Sequence, residues 1–152
     1  MWHIKIRKFL SVIFIMNMTS YAALSSAHSG SATMDSAGTS RIFTGLAQIT
    51  CSSTGSEPTD HLLARIRDNS APIPGLLANL QIYKGSRAVS ITDTVSGDAD
   101  FSPFVSLQGG NGVYYLIINK TNEGEREFDL DWHCTAASGT HTETDINVLQ
   151  FE

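Results

Sequence analysis

The sequence predicts an all-β protein, an antiparallel β-sandwich of about eight strands, jelly-roll or immunoglobulin-like. Three observations carry that expectation. Short runs alternate apolar and polar residues with period 2. The cleanest is 128–134, where Phe128, Leu130, Trp132 and Cys134 share one face and Asp129, Asp131 and His133 the other. Turn signals punctuate the chain at close spacing: Lys84-Gly85-Ser86, Ser96-Gly97-Asp98, Gly109-Gly110-Asn111-Gly112 and Gly139. Between these breaks no segment is long enough for a helix of ordinary length.

Taken in order, the chain opens as an export signal does. Lys5, Arg7 and Lys8 precede a short apolar run, 9–16, and two small-residue sites follow, Ser20-Tyr21-Ala22 and Ser25-Ser26-Ala27. Cleavage is expected after Ala22 or Ala27. The run is well short of the ~20 residues that span a bilayer, so the mature chain is expected to carry no transmembrane span. Residues 28–40 are rich in Ser, Gly, Ala and Thr and read as a flexible leader. A single domain then fills 41–152.

Its first strand is 41–51, with Gly45 as a bulge signal. A polar loop through Pro58 leads to 61–68, where Leu62, Ala64 and Ile66 oppose Arg65 and Arg67. The turn at 69–74 leaves this run too short for a helix, so it reads as a strand. Strands follow at 76–83, 88–92 and 105–107, the last behind Pro103, which suits an edge. Residues 113–119 are apolar on both faces and belong in the middle of a sheet. With 128–134 they form the expected central hairpin, and 145–151 is expected to pair antiparallel with 128–134 as a closing hairpin.

Charge and cysteines bound the function. The chain carries ten Lys and Arg against fifteen Asp and Glu, net −5; loss of 1–27 removes three bases and takes the net to −8. Such a surface repels phosphate backbones, which argues against nucleic acid and anionic membranes as partners. The two cysteines, Cys51 and Cys134, lie on the apolar parity of their strands. In an exported chain they are expected to form a disulfide, with a buried thiol pair or half of a metal site as the alternatives.

Three stretches, Leu76 to Ser86 (LLANLQIYKGS), Gly109-Gly110-Asn111-Gly112-Val113-Tyr114-Tyr115, and Phe128-Asp129-Leu130, resemble the bacterial pre-peptidase C-terminal domain. The likeness covers 76–132. It implies a jelly-roll sandwich that accompanies secreted peptidases and other exported enzymes. Asn79 and Gln81 stand where that family's acidic strand motif carries carboxylates, so the calcium site the family implies lacks those ligands here.

Catalytic motifs are absent: there is no Gly-x-Ser-x-Gly and no His-Glu-x-x-His. Asp98 and Asp100 beside Gly97, with Asp93 near, make a partial calcium loop or simply a solvated acidic turn. The polar parity of the closing hairpin gathers Asp131, His133, His141 and Glu143. With the turn centred on Ala137, His133 faces His141 and Asp131 faces Glu143. Directly opposed Cβ atoms lie ~4.5–5.5 Å apart, within reach of one Zn²⁺ or Cu²⁺. A solvated polar face is the plainer reading. His28 would become an N-terminal copper ligand if cleavage followed Ala27. The sequence therefore points to a secreted, non-catalytic β-sandwich that binds a protein, glycan or surface partner. The alternative is an exported metal-binding protein that uses the His133/His141 face. Oligomeric state is not legible.

Overall fold

The computed structural model describes residues 28–53, 55 and 57–152. The expected export signal and both cleavage sites lie outside the described residues. Nine strands form two antiparallel sheets, and the described residues contain no helix. They are β1 (His28–Met34), β2 (Thr44–Ser52), β3 (His61–Asp68), β4 (Ala78–Lys84), β5 (Arg87–Thr92), β6 (Val105–Gln108), β7 (Gly112–Lys120), β8 (Arg126–Thr135) and β9 (Glu143–Phe151). One sheet has the order β1-β8-β3-β6, the other β5-β4-β7-β2-β9.

The pairing has a simple logic. β4 pairs with β5, β3 with β6, β2 with β7 and β1 with β8. The first eight strands are thus one long antiparallel hairpin, folded at β4–β5 and rolled so that successive pairs fall in alternate sheets. That is the jelly-roll winding. The fold point is the tight turn between Lys84 and Arg87, where Gly85 sits at φ 60°, open to glycine without steric cost.

Parity decides what the sheets bury. Leu62, Ala64 and Ile66 of β3, with Leu130 and Trp132 beside them on β8, face Leu80 and Ile82 of β4 and Tyr114 and Leu116 of β7 in the other sheet. Each full burial of such a side chain contributes about 1.5–3 kcal/mol. Cys51 of β2 and Cys134 of β8 are joined by a disulfide, Cα atoms 5.6 Å apart. Because β2 and β8 belong to different sheets, this bond staples one layer to the other through the core.

Three expectations need correction. Residues 28–40 are not a flexible leader. β1 pairs with β8 from His28↔Trp132 to Met34↔Arg126, and Met34 is fully buried. A Ser/Gly-rich strand needs only a neighbour with free backbone groups, and the edge of β8 supplies one. The turn that follows is fixed by a buried ion pair. Lys120 Nζ donates to Asp35 Oδ2 at 2.8 Å, Ser40 O at 2.5 Å and Asn122 O at 2.9 Å. Asp35 also accepts from the backbone N–H groups of Thr39 and Ser40, and these partners, Lys120 foremost, hold its carboxyl down at about 2.

Residues 112–134 are not a hairpin. β7 lies in the middle of its sheet, between β4 and β2, as its two apolar faces require. The chain then arches to the other sheet, past Gly124 at φ 127°. Nor does β9 pair with β8, because β1 and β3 already occupy both edges of β8. β9 pairs instead with the free edge of β2, from Ser52↔Glu143 to Gly45↔Phe151. Only an isolated bridge, Thr135↔His141, joins the end of β8 to the turn before β9. The β2–β9 register shifts at Leu46/Ala47, which leaves Leu149 as the extra residue. That bulge reconciles Ile146 and Val148 with Phe151, three apolar residues of conflicting parity, on one face.

Candidate functional site

Two places collect chemistry-bearing residues. The first is the outer face of β8, where the sequence places Asp131 and His133. His133 Nε2 lies 2.8 Å from Asp131 Oδ1, at an angle that does not make a hydrogen bond, and its Nδ1 is buried without a partner. The ring stacks on His141, centroids 4.4 Å apart and planes 20° from parallel, with Phe104 at 6.0 Å. Burial lowers the His133 pKa. Asp131 opposes that shift, and His141, His28 and Arg65 add to it.

The two imidazoles are therefore neighbours, though by a different route from the one the sequence suggests: His141 reaches His133 from a loop, not across a ladder. A shared metal lies in the plane of each ring, along its nitrogen lone pair, at ~2.0–2.1 Å for zinc. Rings stacked face to face direct those lone pairs side by side. Glu143 is not opposite Asp131. It starts β9 in the other sheet and accepts from Ser52 Oγ at 3.1 Å. Among the described residues no group of three His, Cys, Asp or Glu side chains is arranged to hold a metal ion. The acidic turn likewise serves the backbone. Asp93 accepts from the N–H of Asp68 at 2.8 Å, and Asp98 from that of Asp100 at 3.0 Å.

The same face carries a charge ladder. Arg65 Nε donates to Asp131 Oδ2 at 2.9 Å, and Arg67 Nε to Asp129 Oδ2 at 2.8 Å. Phe101 and Phe104 sandwich the Arg65 guanidinium, centroids 4.2 and 4.3 Å away. The sequence holds the signal for this pairing: Arg65 and Arg67 are two residues apart on polar parity, as are Asp129 and Asp131. Opposite charges at matched spacing point to β3 beside β8.

The second place is a cleft at the open side of the sandwich. β1 ends one sheet and β9 the other, but β9 is the fifth strand over a sheet of four. Directly paired residues share a face, so Ile146, Val148 and Phe151, opposite Ile49, Ala47 and Gly45, point inward. Among the described residues no strand of the facing sheet lies across from them, and they remain 39%, 61% and 40% exposed. Between them and β1 lies a cavity of about 320 Å³ lined by Ala32, Leu116, Phe128, Trp132, Val148 and Phe151 among others. Small residues keep it open. A Cβ on Gly45 would sit 2.5 Å from Ile118 Cγ1, and β1 offers only Gly30, Ser31 and Ala32. Nothing in the sequence marks this site, because β1 shows almost no apolar pattern and the parity of β9 conflicts until its bulge is seen.

No family model matches the chain, and neither a curated protein nor a solved structure does.

Proposed function

We propose that the protein is an exported, non-catalytic binding module that takes an apolar ligand group in the cleft between β1 and β9. The cleft carries this reading. It is concave, apolar on nearly every side, of the volume that ligand sites have, and built on rigid strands. Export is supported by the basic and apolar pattern of residues 1–16 and by the disulfide, which oxidising compartments favour. The jelly-roll winding is the fold that the resemblance to pre-peptidase C-terminal domains implies, and it supports counting the chain with such accessory modules.

The test uses the mature protein and the hydrophobic fluorophore 1-anilinonaphthalene-8-sulfonate. Saturable binding at one site, lost in Val148→Asp with the melting temperature unchanged, supports the reading. Binding that is absent, or unaffected by Val148→Asp, refutes it. N-terminal sequencing of secreted material should begin at Ala23 or His28. Met1 retained in a cytosolic fraction overturns export. The second reading, an exported zinc or copper protein, has the adjacency of His133 and His141 in its favour and their stacking against it. Metal that co-purifies and is lost in the double variant His133→Ala, His141→Ala would establish it.

A further inference from the structure

The cleft has the shape of an absent strand, and we infer that its occupant is an extended segment of another polypeptide, apolar on alternate residues and flanked by basic ones. This rests on the binding-module reading above and names the class of partner. Three features converge on it. Among the described residues β1 is hydrogen-bonded on one side only, to β8. Its other edge presents every second N–H and C=O with no strand beside it, and an unpaired edge is a template for strand addition. A strand laid there would make five over five and come to rest above Ile146, Val148 and Phe151. Its inward side chains, two residues apart, would enter the cavity beside Trp132 and Phe128.

The second feature is the lack of protection. Edge strands that must stay unpaired carry lysine, proline or a short length. β1 (His28–Met34) and β9 (Glu143–Phe151) have neither lysine, arginine nor proline over seven and nine residues. The third is charge. The charged side chains of β9 are the carboxylates of Glu143 and Asp145, on its outer face, Glu152 follows directly, and the whole chain has a net charge of −5. A partner segment with lysine or arginine at its ends complements that acidic surface; an acidic one is repelled. An acyl chain would fill the cavity but leave the β1 backbone groups unpaired, and a second copy would bring the same net negative charge against this one.

The experiment titrates the mature protein with the synthetic peptide Lys-Lys-Val-Thr-Val-Thr-Val-Lys-Lys, its counterpart with glutamate in place of every lysine, and dodecanoate. Trp132 fluorescence gives affinity, backbone amide exchange gives the site, and sedimentation gives the oligomeric state. The lysine peptide should bind at least ten-fold tighter than the glutamate peptide at low salt. It should slow exchange of β1 amides at least ten-fold, and lose at least ten-fold in affinity in Val148→Asp. Equal affinity for the two peptides overturns the inference. So do peptide binding without protection of β1 and a dimer that blocks the peptide. If the fluorophore or dodecanoate binds and neither peptide does, the strand partner is refuted and the binding module stands. If nothing binds, both fall.

Discussion

Replacing both Cys51 and Cys134 by alanine tests the sandwich at the point where its layers are tied. The bond spans a sequence separation of 83 residues, and closing a loop of that length in the unfolded chain stabilises by about 4.5 kcal/mol in the chain-entropy model. Both residues are at most 1% exposed, so the lost sulfurs add a cavity cost in the same direction. Urea unfolding followed by the fluorescence of buried Trp132 reads the difference. At an m value of about 1.5 kcal/mol per molar, the midpoint should fall by about 3 M. Since a domain of this size is stable by about 5–15 kcal/mol, the variant is expected to fold marginally. A loss below about 1.5 kcal/mol would refute the reasoning, and would mean that the unfolded chain already holds β2 against β8.

Acid should unfold the protein in two stages with separate causes. His133 has its pKa lowered from 6.5 by burial, so the unfolded chain takes up the proton first. Stability is full above that value and falls as the pH drops below it. His133→Gln should flatten the slope of the urea midpoint between about pH 7 and about pH 5. Asp35 is lowered from 3.8 to about 2, so its contribution is present above 3.8 and lost as the pH falls toward 2. Asp35→Asn should remove that lower limb, and an unchanged limb would place its source elsewhere. Gly45→Ala drives a methyl group against Ile118 and Phe151 and should destabilise by about 1–3 kcal/mol, lowering the melting temperature by about 4 °C or more.

Strands β2 to β9 were legible because each carries an apolar alternation or a continuous apolar run between turn signals. For β3 even the bounds, His61–Asp68, follow from the sequence. β1 was not legible, because HSGSATM carries no alternation until Ala32 and Met34, and its strand form comes from the edge of β8. Pairing partners were the harder problem. Closeness in sequence suggests hairpins at β7–β8 and β8–β9, but each interior strand has only two edges and nested long-range pairs fill them first. The Arg65/Arg67 and Asp129/Asp131 spacing is a local trace of one long-range pair, β3 with β8. The site divides in the same way. The histidines show themselves as residues, whereas the cleft exists only through the mismatch of four strands against five.

The rolled-hairpin winding also governs when the chain can fold. Every strand from β1 to β3 waits for a partner from the second half, and β1 waits longest, for residues 126–135. Of the connections, only β4–β5 joins neighbours in one sheet directly, so a partly emerged chain has little native structure to form beyond that turn. The two layers can close only once β8 has been made, and Cys51 in β2 has no sulfur to meet until then, because Cys134 lies near the end of that strand.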